Sequence, residues 1–181
     1  MVRLLDNVCR EIARNGCKKV VLVNAHGGNR GLVSLFSMLP LYAPRDYVVY
    51  LVDPIGAAVG GVDVPWDRAS DGHAGPGETS MVLALRPDLV HMDRVPATDE
   101  GKALGRLRAL GEAGAQTGIW WYADHPTHYA GDAHPAEAEA GERLLDAMAH
   151  AVARAVRAIK ADTEAKRLQD EFYAASAAPH V

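Results

Sequence analysis

The chain has 181 residues, enough to bury a core without disulfides or structural metals. Its 49% apolar and 23% charged residues exclude a disordered chain, a collagen and a coiled coil. A formal charge of −4, with no long basic run and no apolar run of membrane-span length, argues against nucleic-acid and membrane partners.

The N-terminus enters an amphipathic pattern directly, without the features of a signal peptide. Leu4, Leu5, Val8 and Ile12 recur at helical spacing, and Asn15-Gly16 is a helix stop. The only two cysteines, Cys9 and Cys17, exclude a disulfide framework and read as packing residues, so a cytoplasmic location is expected. A β-branched run with a basic lead-in predicts a buried parallel strand from Lys19 to Asn24. After the glycine-rich turn AHGGNRG, the residues Leu32, Leu35, Phe36 and Leu39 trace a helix ended by Pro40 and Pro44. A second strand is predicted from Tyr47 to Asp53. This βαβ order predicts two parallel strands of one sheet, with helices on both faces.

From Asp53 to Ala74 the pattern gives way to Gly, Pro and Asp around Trp66. Glu78 to Leu85 reads as a helix closed by Arg86-Pro87. Residues 88–131 are part helical and part flexible, and include the aromatic run IWWY. From Pro135 one long helix is expected, with Leu145, Met148, Val152, Val156 and Ile159 as its buried stripe. Beyond Lys160 a loosely held tail is expected. The domain reading is thus one α/β domain over residues 1–160, then a helical extension and tail over 161–181.

The eight histidines gather mostly in loops. Asn24-Ala25-His26-Gly27-Gly28-Asn29 lies past the carboxyl end of a predicted parallel strand, where open α/β sheets bind ligands. It reads either as a site presenting His26 or as a strand-to-helix turn held by Asn24 and Asn29. In Asp71-Gly72-His73-Ala74-Gly75-Pro76-Gly77-Glu78, a histidine and a carboxylate flank a Gly-Pro-Gly bend. Glu78 is placed to act as a first-turn acid, a metal ligand or a general base. The aromatic run Trp120-Trp121-Tyr122, followed by His125, His128 and Asp132, suits either a pocket wall or a subunit contact. His91 and His150 read as structural. No G-x-S-x-G elbow, H-E-x-x-H or C-x-x-C occurs, so α/β-hydrolase, zincin and thioredoxin-like chemistry are set aside.

In order, NAHGGN, HAGPGETS, the following MVLALRPDLVHMD and the later GDAHPAEAEAGERLL resemble the creatininase family of amidohydrolases over roughly Val20 to Ile159. The resemblance implies a three-layer α/β/α fold with a mostly parallel sheet. It also implies a two-metal site using Zn, Mn or Fe that hydrolyses a carbon–nitrogen bond of a small cyclic or linear amide. By similarity His26 is a metal ligand, His73 transfers the proton, and Glu78 is either a ligand or the carboxylate that orients His73. Asn29, Trp120 and Trp121 are assigned to the substrate pocket, and His26, His73 and Glu78 are expected to converge. Creatininase has a metal-binding carboxylate where Gly28 stands here, which argues against creatinine as substrate. The family's upstream Glu-x-His pair and Asp have no counterpart in this sequence, which resembles the family's C-terminal two-thirds. Weak metal binding and low activity of the chain alone are therefore expected, together with homo-oligomerisation. The alternative function is a non-catalytic remnant that oligomerises or binds a ligand.

Overall fold

The computed structural model describes residues 1–178; His180 and the end of the expected tail, residues 179–181, lie outside it. The chain divides into two compact units, one built from Met1–Gly60 with the C-terminal stretch from Met148, the other from Gly61–Ala147.

In the first unit, the β-branched runs form β1 (Lys19–Val23) and β2 (Val48–Val52). They pair in parallel, Lys19 opposite Val48 through to Val23 opposite Val52, as the βαβ pattern predicts. Alternation along the strands assigns their faces. On one face Val20, Leu22 and Val49 pack with Cys9 and Ala13 of α1 (Val2–Arg14) and with Phe36 of α2 (Arg30–Met38). On the other face Lys19 and Tyr50 reach the junction of α7 (Ala138–Ala161) and α8 (Glu164–Ala177). Helical segments thus lie on both faces of the strand pair.

That junction breaks the expected single long helix. Asp162 accepts the Glu164 N–H at 3.0 Å and the Tyr50 hydroxyl at 2.6 Å, so its carboxylate starts α8. The Lys19 ammonium donates to the Ile159 and Lys160 carbonyls at 2.7 and 2.9 Å, and to that of Asp162, where the dipole of α7 favours a cation. The basic lead-in of the strand is therefore a helix cap. Nor are residues 161–178 a loose tail. Gln169, buried, donates to the Tyr47 carbonyl at 3.0 Å, and the Tyr173 hydroxyl donates to the Pro40 carbonyl at 2.6 Å.

Two further expectations, the packing of Cys17 and the buried stripe of α7, are corrected here. Cys9 is buried, and that burial pushes its thiol up, with Asp6 adding to the effect, but Cys17 is exposed at the end of the turn after α1. Leu4, Val8 and Ile12 stay exposed, because α1 turns the stripe of Val2, Leu5, Cys9 and Ala13 to the core instead. In α7, likewise, the deepest residues are Ala140, Leu144 and Ala151, while the expected stripe is only half-buried.

The second unit contains α4 (Pro76–Leu85), α5 (Arg108–Glu112), α6 (Trp120–Asp124), the start of α7 and several 3-10 turns. His91 sits at the head of one such turn, exposed, and not in a strand. Three irregular segments are joined through the backbone. Ala130 donates to His73 at 2.9 Å, Gly131 to Gly101 at 3.0 Å, and Asp132 to Ser70 at 3.1 Å. Ser80, fully buried on α4, accepts the Glu137 N–H at 3.0 Å just before α7. Among the described residues no helix is long and apolar enough to cross a membrane.

Candidate active site

The parallel register puts the ends of both strands at one edge of the first unit's sheet. Past β1, buried Asn24 extends the ladder by donating its N–H to Val52 at 2.8 Å, and its side chain holds the His26 carbonyl at 3.0 Å. His26 is exposed and extended, and its Nδ1 accepts the Gly28 N–H at 3.2 Å. The turn is thus held by Asn24 and by His26 itself; Asn29 is exposed and its side chain makes no cap bond to α2. With Nδ1 accepting, a neutral ring carries its proton on Nε2, so His26 in this conformation offers no free lone pair. Past β2, Asp53 accepts the Gly56 N–H at 3.0 Å at the head of α3 (Pro54–Ala58) and pairs with Arg30 at 2.8 Å. The Gly56 N–H first, and Arg30 after it, hold this carboxyl below the usual carboxylate range. Sequence reading missed this clasp between the two strand ends; an Asp directly before Pro at a helix start is the local signal that points to it.

In the second unit the loop before α4 is a closed structure. Gly75 occupies the helix N-cap without a side chain, so Asp71 supplies the missing acceptor and takes the Gly77 N–H at 3.1 Å. A Cβ on Gly77 would stand 2.5 Å from Asp71 Oδ2, one on Gly75 2.6 Å from the Gly72 nitrogen, and one on Gly72 would collide with the Ala130 carbonyl. Ala74, with φ of 54°, is left-handed. Its N–H donates to Glu78 Oε2 at 2.8 Å, and its carbonyl accepts from the Thr79 hydroxyl at 3.2 Å. The same Glu78 oxygen lies 3.9 Å from His73 Nδ1, near enough for attraction though not for a hydrogen bond. Both side chains are about half exposed.

The aromatic segment comes to this histidine. Trp121 meets His73 edge to face, centroids 5.8 Å apart, and lies 4.8 Å from the His125 ring. Trp120 stands edge-on to Trp121 but faces a different hollow, of about 620 Å³, with Leu107 and Leu110. Glu78 opens onto a third, of about 370 Å³, walled by Val82, Leu89 and Met92. His128, exposed and left-handed, lines none of these hollows. Asp132 is occupied by His134, at 2.6 Å, and by Thr98; the hydrogen bonds of His134 first of all hold its carboxyl down. Of the residues singled out from sequence, then, His73, Glu78 and Trp121 come together in the second unit, while His26 and Asn29 belong to the first.

A divalent metal needs at least three protein donors and an open position. Among the described residues no group of three or more His, Cys, Asp or Glu side chains could hold a metal ion. His26 Nδ1 and Glu78 Oε2 are already bound to backbone N–H groups. The donors present do not make up a metal site.

Against this geometry stand several likenesses. The family model described as creatininase, creatinine amidohydrolase, matches residues 1–156. The creatinine amidohydrolase of Pseudomonas putida is 33% identical over 112 residues, which are 52% of this chain and 42% of that protein. A candidate creatinine amidohydrolase from Bacteroides fragilis NCTC 9343 is 20% identical with a TM-score of 0.68, over 89% of this chain and 61% of that one, a likeness of fold alone. A mutant creatininase complexed with creatine is 26% identical with a TM-score of 0.61, over 86% and 62%. Other matched creatininase structures are a manganese form and a Zn-Zn form. The chain spans less than two-thirds of the length of each of these relatives.

Proposed function

The chain belongs to the creatininase family, and we propose that it carries the proton-transfer part of a divalent-metal-dependent amidohydrolase that opens a carbon–nitrogen bond in a small cyclic or linear amide. One observation carries this reading: His73 stands beside Glu78 on a loop locked by Asp71 and by glycines that admit no side chain. Amide cleavage needs a proton delivered to the leaving nitrogen, and an imidazole is suited to taking one from water and returning it. Glu78 supports the loop through the Ala74 N–H and faces the imidazolium that forms during transfer. This favours Glu78 as the residue that orients His73 over Glu78 as a metal ligand. Trp121, edge-on to His73, is proposed as one side of the substrate pocket.

Zn, Mn or Fe is the proposed cofactor of the activity, with His26 as a donor once its Nδ1 bond to Gly28 is exchanged. No step above depends on the metal. A cytoplasmic location and homo-oligomerisation belong to the same proposal. The test is turnover of a panel of cyclic and linear amides with Zn, Mn or Fe. His73→Ala should lower kcat by about 10²-fold or more, and Glu78→Gln by about tenfold. Undiminished turnover in His73→Ala would sink the reading.

A second reading, a non-catalytic module that assembles with other chains, is favoured by the exposed row Leu4, Val8 and Ile12 along α1. Sedimentation showing self-association, with no turnover under any of the three metals, would select it.

A further inference from the structure

One hollow in the second unit lies beside His73 without including it. Its volume of about 450 Å³ falls in the range of small-molecule sites. Its rigid side is the backbone joined by the Gly131–Gly101 and Asp132–Ser70 hydrogen bonds. A Cβ on Gly101 would run into the Gly131 carbonyl, and one on Gly131 into that of Ser70, so this wall is set before any ligand arrives. The opposite wall is aromatic. Trp121 and His125 are four residues apart on α6 and its C-cap, one helical turn, with the His125 N–H donating to the Trp121 carbonyl at 2.7 Å.

The polar groups around the hollow are nearly all engaged. Ser70 donates to Asp67 at 2.7 Å, Thr98 to Asp132 at 3.2 Å, and Lys102 is paired with Asp99. Asp71 holds α4, and Asp132 holds His134. His125 is the exception: its Nδ1 is shut away from solvent with no partner. A buried N–H without an acceptor is rarer and costlier than a bare lone pair, so the ring proton belongs on Nε2. His125 then offers an N–H donor from an aromatic wall, while the hollow's two carboxylates, Asp71 and Asp132, are held by hydrogen bonds and make the site unfavourable to an anion.

We infer that the hollow walled by Trp121 and His125 is a binding subsite for a neutral, planar group with a carbonyl oxygen, packed on the two rings and accepting a hydrogen bond from His125. Trp121 also meets His73 edge to face, so a group packed on Trp121 is near the proposed proton-transferring residue. In the proposed amidohydrolase, on whose assignment this identification rests, it is the non-reacting part of the substrate. The binding itself is independent of that reading.

The probe is hydantoin, a planar cyclic amide that is neutral at pH 7, titrated into the full 181-residue chain and followed by the Trp indole and His ring resonances. Hydantoin should shift Trp121 and His125 and leave buried Trp66 unmoved; benzoate, planar and anionic, should move neither wall residue at the same concentration. His125→Phe, which keeps a flat ring, should weaken hydantoin about fivefold, the worth of one hydrogen bond. His125→Gln, which restores an N–H donor, should recover most of that loss. Hydantoin binding is read without metal and without turnover, so a failed turnover assay and a failed subsite give different results. Hydantoin shifts confined to other residues, equal binding of benzoate, or undiminished binding by His125→Phe would each overturn the inference.

Discussion

The loop after β1 and the loop before α4 each set one histidine among three glycines, yet different physics holds them. Around His26 the glycines are open: a Cβ on Gly27 or Gly31 meets nothing within 4 Å, and one on Gly28 meets only the His26 ring, at 3.0 Å. Around His73 every glycine is forced, by Ala130, Gly72 or Asp71. The first loop is tied chiefly through Asn24 and His26 itself, so its histidine is free to reorient at small cost. The second is a fixed cradle that presents His73 in one place. A residue awaiting a metal ion suits the first arrangement, and one that must meet a substrate nitrogen at a set distance suits the second.

The largest test of this contrast is a pair of substitutions. Gly72→Ala drives a methyl into the Ala130 carbonyl and should cost about 3 kcal/mol, whereas Gly27→Ala should cost less than about 0.5 kcal/mol. Denaturant midpoints measure both, and equal losses would erase the distinction.

Lys19 shows where the first unit does depend on a polar group. Lys19→Met leaves the end of α7 without its cation and should cost about 2 kcal/mol, far more than the same change at exposed Lys18. Urea unfolding of the two variants gives the comparison.

The units should also differ in alkali. Burial first, then the bond to Asp162, raises Tyr50 from 10.0 to about 12. A group raised in the folded state stabilises fully below its unfolded value and loses that contribution as pH climbs from 10 to 12. Residues of the first unit should therefore lose hydrogen-exchange protection over that window, and Tyr50→Phe should reduce the dependence to the part left by Cys9 and Tyr47, which burial also raises. In acid the sign is opposite. Asp53 and Asp132, both lowered, hold their contribution above the ordinary carboxyl value and lose it as pH falls through their folded values, so both units should weaken together.

Smaller effects distinguish the loops again. Ala74→Gly relieves a left-handed alanine and should stabilise by about 1 kcal/mol, visible as a raised melting temperature. His26→Ala removes one exposed cap bond and should cost about 0.5 kcal/mol. A loss at His26 larger than the gain at Ala74 would mean that the first loop is as firmly built as the second.

Much of the fold was legible because its signals are local. The runs KVVLV and VVYLV, separated by one helix, gave two parallel strands and their register edge. The motif pair around His26 and His73 pointed to the family that the match over residues 1–156 shows. Burial was less legible. The stripe Leu4, Val8 and Ile12 satisfies helical periodicity as well as Val2, Leu5, Cys9 and Ala13 does, and only packing against Val20 and Phe36 selects between them. The helix break at Asp162 was hidden because alanine-rich sequence continues a helix readily; what ends it is a tyrosine on a strand more than a hundred residues away.

Residue types, spacing and the short-range geometry that follows from them were thus fixed by the sequence alone: a His and a Glu across a Gly-Pro-Gly bend, and aromatics one turn apart. Tertiary structure decided which glycines are obligatory, that Asp71 replaces the side chain Gly75 lacks, that Trp121 meets both His73 and His125, and that among the described residues no three donors gather for a metal. The reason is physical. Periodicity and turn chemistry act over a few residues, whereas a carbonyl pressed against a glycine, or a ring lodged against an imidazole, depends on segments that meet only after the chain has folded.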